Sequence, residues 1–156
     1  KPDNYLTLNR GENSGIRKEQ GVITSQGIVG IIDRTNNNYS RAISILNSRS
    51  RINAQLKNTN HFGSLMWNGK DPNTVQLIDV PRQAPVQQGD TIITGGRSLI
   101  FPKGLPIGSI ESFELDQTQS YYTIQIKLFN DMTNIGYVYV IENLNKEEIK
   151  ELENEQ

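Results

Sequence analysis

Gln20-Gly21-Val22-Ile23-Thr24 runs on to Gly27-Ile28-Val29-Gly30-Ile31-Ile32, and later in the chain Gln88-Gly89-Asp90-Thr91-Ile92-Ile93-Thr94 runs on to Gly104-Leu105-Pro106-Ile107-Gly108-Ser109-Ile110. Each stretch then reaches a further β-like run, 40–46 in the first and 121–129 in the second. A glycine, a β-branched run, a second glycine, two residues, a third glycine and another β-branched run is one supersecondary unit written twice. The chain therefore reads as two small β-rich modules.

Outward from the repeat, period-2 alternation dominates. Ile52, Ala54 and Leu56 share one face against Asn53, Gln55 and Lys57, and Tyr122, Ile124, Ile126 and Leu128 share one against Thr123, Gln125 and Lys127. Both segments have the pattern of half-buried antiparallel strands. Further strands are expected at 5–8, 22–24, 29–33, 62–67, 75–80, 91–94, 107–115 and 135–141. The turns between them have recognisable chemistry, among them Asn36-Asn37-Asn38, Asn68-Gly69, Asp71-Pro72-Asn73 and Gly95-Gly96. Many short strands at regular spacing predict barrels or a sandwich. The tail is the exception: Asn145 suits an N-cap, Glu148 completes a capping box, and Leu144 can staple onto Ile149, so a short helix is predicted from Lys146.

The glycines have a mechanical reading. A residue without Cβ permits positive φ and close backbone approach, which the corners of a small coiled barrel demand. Gly27, Gly30, Gly89, Gly104 and Gly108, with Asp90 tying down its own turn and Pro106 entering a strand, are therefore fold determinants. Architecture fits these glycines better than a phosphate cradle, because strands, not a helix N-terminus, follow them.

Composition narrows function further. The chain has 156 residues with a formal net charge of -1, which gives no global attraction for nucleic acid. With no cysteine and a single histidine, thiolate zinc sites, iron–sulfur clusters and disulfides are excluded, and no cofactor or metal is expected. No apolar run is long enough to span a bilayer. The abrupt opening at Lys1-Pro2-Asp3 suggests an excised domain whose targeting element lies upstream.

A serine-protease triad needs a histidine base held by a carboxylate. His61 lies in a turn between Asn60 and Phe62, and Ser98 follows Gly95-Gly96-Arg97, a context only superficially like that of a nucleophile. Paired carboxylates for glycosidic cleavage would have to come from Asp33, Asp79, Asp90 and Glu111, which read more simply as turn or surface residues. No catalytic residue is assigned.

Two surface features suggest protein partners instead. Arg34, Arg41, Arg49, Arg51 and Lys57 form a local positive stripe whose nearby acid is Asp33. His61-Phe62-Gly63-Ser64-Leu65-Met66-Trp67 gathers large apolar side chains around a glycine, with Leu65 and Trp67 on one strand face and Phe62 and Met66 on the other. Core packing accounts for much of this second group, although Trp and Met also favour interfaces. The candidate partner-binding residues are Arg41, Arg49, Arg51, Phe62 and Trp67.

An ordered series of motifs resembles the MreC family of bacterial rod shape-determining proteins. It begins with Asn4-Tyr5-Leu6-Thr7-Leu8-Asn9-Arg10-Gly11, Ser14-Gly15-Ile16, Gly21-Val22 and Gly27-Ile28-Val29-Gly30. Ser40-Arg41 and His61-Phe62-Gly63-Ser64-Leu65-Met66-Trp67-Asn68-Gly69 follow. Gly89-Asp90-Thr91-Ile92-Ile93-Thr94-Gly95-Gly96 and Phe101-Pro102-Lys103-Gly104-Leu105-Pro106-Ile107-Gly108 complete it. Gly95-Gly96 departs from the Ser-Gly that many members carry.

The resemblance implies an all-β fold of two small antiparallel β-barrels with chymotrypsin-like topology and no active site. Residues 1–48 would form the first, completed by strands from elsewhere in the chain, residues 49–143 the second, and residues 144–156 a short C-terminal helix. It further implies a non-catalytic, extracytoplasmic scaffold of the cell-elongation complex. Its partners would be a second copy of itself, the peptidoglycan transpeptidase and other membrane proteins of that complex, with the membrane reached only through a segment absent from this chain. The competing classes are an envelope hydrolase with two barrels and a β-barrel adaptor of an export system.

Overall fold

The computed structural model describes residues 3–144 and 146–154. The first sheet contains β1 (Asp3–Leu8), β2 (Gly21–Ile23), β3 (Ile28–Thr35) and β4 (Ser40–Asn47). A second set contains β5 (Ile52–Leu56), β6 (Phe62–Met66), β7 (Thr74–Pro81), β8 (Thr91–Thr94), β9 (Pro106–Leu115) and β10 (Tyr121–Leu128). Strand β11 (Tyr139–Ile141) returns to pair antiparallel with β2, and α1 (Lys146–Asn154) closes the described chain.

The repeat is real in three dimensions. In the first copy β2, β3 and β4 form an antiparallel meander, and in the second β8, β9 and β10 do the same. The ladders agree down to their irregularities. Val29 is the extra residue where Val22 pairs with Gly30 and Ile23 with Ile28, just as Ile107 is extra where Ile92 pairs with Gly108 and Ile93 with Pro106. A second bulge leaves out Asp33 on β3 and Glu111 on β9. Matched bulges add local twist at matched places, which is how a short sheet is made to coil.

One of the two copies closes. The strands of the second set form a barrel in the order β10-β7-β6-β5-β8-β9, with β9 pairing back onto β10. The first sheet runs β1-β4-β3-β2-β11 and stays open, which corrects the expectation of two barrels. In the barrel, β5 and β7 flank β8 and β10 respectively, and β6 bridges them. In the sheet, β11 and β1 hold the corresponding flanking places, beside β2 and β4, but no described strand bridges them. A cleft of about 750 Å³ lies there instead, between residues 7–10 and residues 136–140. The run at 135–141, read from sequence as one strand, pairs over its last three residues alone.

The larger core fills the barrel with Leu65, Val75, Leu77, Ile92, Ile107, Ile110, Ile124 and Ile126, and takes in Ile28, Ile45 and Leu46 from the first sheet. Ile16, Val22, Val29, Ile32 and Ala42 make a smaller cluster on the sheet. Burying apolar area at roughly 25 cal/mol per Å² makes the shared cluster the main adhesive between the two parts. They also touch through backbone. A Cβ on Gly27 would lie 2.8 Å from the Pro106 carbonyl oxygen, and one on Gly21 would lie 2.6 Å from the ring of the fully buried Phe101.

Buried polar groups complete the joint. The Asn130 amide donates to the Ile28 carbonyl at 3.2 Å, while its oxygen accepts from the Thr24 hydroxyl at 2.5 Å. Asn143 donates to the carbonyls of Ser98 and Phe101, which ties the segment after β11 to the loop between β8 and β9. At the turn between β4 and β5, the fully buried Asn47 donates to Asn4 O at 3.1 Å and the Ser50 hydroxyl to Ser44 O at 2.8 Å. Each of these carbonyls would be costly to leave unpaired in the interior.

Helix α1 begins at Lys146, where the sequence places it, and none of its residues is buried. Leu152 stays 65% exposed, so the helix lacks the apolar docking its sequence calls for. Lys146 reaches back to Glu19 and thereby holds the Glu19 carboxyl below its usual range. The proposed cap, Asn145, lies outside the described residues. Among the described residues no helix is long and apolar enough to cross a membrane.

Candidate interaction surface

The arginine stripe divides into groups with different fates. Arg41 on β4 forms a fork with the Asp33 carboxylate, its Nε and Nη2 at 3.0 and 2.5 Å from the two oxygens, and its guanidinium lies 4.1 Å over the ring of Tyr5. Asp33 occupies the bulge of β3, so it stands beside rather than across from Arg41 and the two planar groups can meet edge to edge. The hydrogen bond from Arg41 is the largest reason why the Asp33 carboxyl is held below its usual range. Arg49 donates to the Tyr5 hydroxyl. Tyr5 therefore organises Arg41 and Arg49 on the outer face of the open sheet, and Arg34 stays exposed opposite Arg41 in the ladder.

Arg51 belongs to the barrel. Its Nη1 donates to the carbonyls of Ser48 and Ser50 at 2.9 and 2.7 Å, which fixes the guanidinium against the turn that leads into β5. Beside it lies a shallow cleft of about 310 Å³ whose lining includes Arg51, Asn53, Phe62, Ser64 and Asp79. Phe62 is 37% exposed on the outer face of β6, whereas Trp67 is 3% exposed and donates its indole N–H to Asp71 O at 2.9 Å. The strand alternation that separates the two side chains thus sends Trp67 to the core and leaves outward contacts to Phe62 and Met66.

Arg97, which sequence reading passed over, completes this site. Its guanidinium stacks 4.2 Å from the centroid of Phe62. The loop that carries it is pinned to β5: Gly95 N donates to Asn53 O at 2.9 Å and Arg97 N to Asn53 Oδ1 at 3.1 Å. Gly95 lies so close to that amide that a Cβ would come within 2.0 Å of Oδ1, so a side chain here would push aside the Asn53 amide that holds the loop. Phe62 and Arg97 stand far apart in the chain, and no local pattern reveals their stacking.

The residues read from sequence as fold determinants occupy turns and close backbone approaches. Gly30 and Gly108 each sit beneath a neighbouring strand, Gly27 and Pro106 meet between the sheet and the barrel, and Gly104 turns the chain at φ 100 on the way into β9. Gly89 and Asp90 precede β8, where Asp90 O accepts from Ile110 N at 2.8 Å. The side-chain bond of His61 goes to the hydroxyl of Thr59 at 2.9 Å, with neither a serine nor a carboxylate. Asp33 faces arginine, and Asp79 and Glu111 are exposed on separate strands.

The family model described as rod shape-determining protein MreC, barrel core, matches residues 1–142. The chain belongs to the MreC family. Among its MreC relatives, the cell shape-determining protein MreC of Listeria monocytogenes is 26% identical over 143 residues, covering 89% of this chain and 48% of the relative. The chain spans about half the length of the curated MreC relatives it matches. A solved Listeria MreC structure superposes with a TM-score of 0.84 at 24% identity over 90% of this chain and 68% of that one. A solved complex between penicillin-binding protein PBP2 and MreC from Helicobacter pylori matches with a TM-score of 0.71 at 16% identity, over 87% of this chain and 85% of that one. At these identities the structures speak for the MreC fold.

Proposed function

We propose that this chain is the extracytoplasmic core of a non-catalytic scaffold that organises cell-wall synthesis during cell elongation, working through protein contacts. Membership of the MreC family carries the reading, and the Helicobacter complex of PBP2 with MreC supplies the class of partner, a peptidoglycan transpeptidase. The architecture suits the role. A closed barrel and a sheet share one core, so the outer surface is a rigid frame on which Arg49, Arg51, Phe62 and Arg97 hold fixed positions. Arg41 takes part by packing over Tyr5, the ring whose hydroxyl accepts from Arg49, and Trp67 by holding β6 in place from within.

Self-association and contacts with other membrane proteins of the elongation complex belong to the same reading, with membrane attachment provided by sequence outside this chain. The test is direct binding of the purified chain to the extracytoplasmic region of the transpeptidase from the same organism, measured by biolayer interferometry. Saturable one-to-one binding is expected, and a folded chain that does not bind at concentrations of about 100 μM contradicts the reading.

A further inference from the structure

We propose that the barrel wall at Phe62, Arg51 and Arg97 is a docking site for an acidic, extended segment of the partner protein. The inference rests on the scaffold reading and deepens it by naming a surface and the chemistry it accepts. Three observations carry it.

The first is charge. The ion pairs among the described residues are Arg17 with Glu142, Arg41 with Asp33 and Lys146 with Glu19. Arg51 and Arg97 are in none of them, so although Asp79 shares the cleft lining, neither guanidinium is forked onto a carboxylate as Arg41 is on Asp33. The second is that both cations are placed rather than free. Arg51 is anchored on two turn carbonyls, and Arg97 is held by the Asn53 clamp and by the face of Phe62. Pre-placed charge loses little side-chain freedom when a partner arrives, which is the usual cost of binding through arginine.

The third is shape. The cleft is open and shallow, with Phe62 supplying apolar surface. Asp79, in the same lining, lies in the bulge where β7 pairs with β10, and its φ of 64 is one that Asp tolerates well. The Asp79 carboxylate offers an acceptor to the backbone N–H groups of an extended segment, while the arginines take its acidic side chains. Binding through this site should be fast and salt-sensitive, as electrostatically steered contacts are.

The test compares the chain with its Arg97→Glu, Arg51→Glu and Phe62→Ala variants, and with Arg34→Glu as a charge reversal on the open sheet, outside the cleft lining. All are titrated against the transpeptidase's extracytoplasmic region at two salt concentrations. Arg97→Glu is the decisive variant because its side chain is exposed and the backbone clamp stays intact; thermal unfolding checks that it is folded. Its affinity should fall on the order of tenfold or more, with much of the salt dependence lost, while Arg34→Glu stays within about twofold. Wild-type affinity for Arg97→Glu, or an equal loss for Arg34→Glu, overturns this docking site while leaving the scaffold reading in place. A wild-type chain that does not bind removes both.

Discussion

Gly30 and Gly108 occupy the same place in two matching ladders. Gly30 lies between Val22 and Ser44, Gly108 between Ile92 and Leu128, and each directly follows the extra residue of a bulge. A Cβ on Gly30 would come within 2.3 Å of Ile43 O, and one on Gly108 within 2.2 Å of Lys127 O. The third strand of each meander crosses directly over its glycine, and that close passage lets two short sheets coil tightly enough to enclose their apolar residues. Gly30→Ala and Gly108→Ala should therefore each destabilise by ~1–3 kcal/mol, because a backbone carbonyl must move. Gly136→Ala, with open space around it, should change stability by less than about 0.5 kcal/mol. Urea unfolding of the three variants checks the contrast.

Asn130 is the polar rivet between sheet and barrel. Asn130→Ala removes the amide that satisfies Ile28 O and the oxygen that accepts from Thr24, at a site that is 5% exposed. A loss of ~1–3 kcal/mol is expected from the stranded carbonyl. Hydrogen exchange in the variant should rise first in β2 and β3, where the two parts separate.

Trp67→Ala is expected to act on stability rather than recognition. The side chain lies in the barrel core, so truncation should cost ~3–5 kcal/mol. Partner affinity of the fraction that remains folded should be close to that of the wild-type chain. A large affinity loss with unchanged melting temperature would contradict the assignment of Trp67 to the core.

The fork between Asp33 and Arg41 gives stability a defined pH dependence. The folded Asp33 carboxyl titrates below its ordinary value of 3.8, so the folded state favours the ionised form. Its contribution is complete above the unfolded value and disappears as pH falls through 3.8 and on through the lower folded value. Asp33→Asn should therefore lower the melting temperature at neutral pH, and the gap from wild type should narrow as pH drops below about 4. Melting curves at pH 7, 5 and 3 read this out.

The repeat was legible in the sequence, but its alignment was not. Reading Gln20-Gly21 against Gln88-Gly89 pairs glycine with glycine. The ladders instead set Glu19 against Gly89: Glu19 N donates to Ile32 O and Gly89 N to Ile110 O, and both residues have positive φ, 68 and 89. Gly21 is small for another reason, the overlying Phe101 ring. Glycine serves turns and close approaches alike, and sequence does not say which.

Closure was illegible for a related cause. Both meanders carry the same alternation, yet closing a barrel depends on a bridging strand such as β6, which lies beyond the repeated unit. Strand faces were read well where a single rule decides them, as for Ile52, Ala54 and Leu56. Gln55 and Gln76 are buried all the same, because loops and neighbouring side chains cover their face: Gln55 donates to Thr59 O and Gln76 to Gln125. Of the candidate surface, Arg51 and Phe62 were visible as residue types, and Arg97 came into view once the fold placed it over Phe62.

On the scaffold reading, the chain works by presenting a rigid outer wall to another protein. Amide hydrogen exchange of the chain, alone and saturated with the transpeptidase's extracytoplasmic region, tests it most directly. A compact footprint on β6 and on residues 95–98 is expected, with the barrel interior unchanged. Binding that leaves those amides unaltered, or that loosens the barrel core, would contradict it.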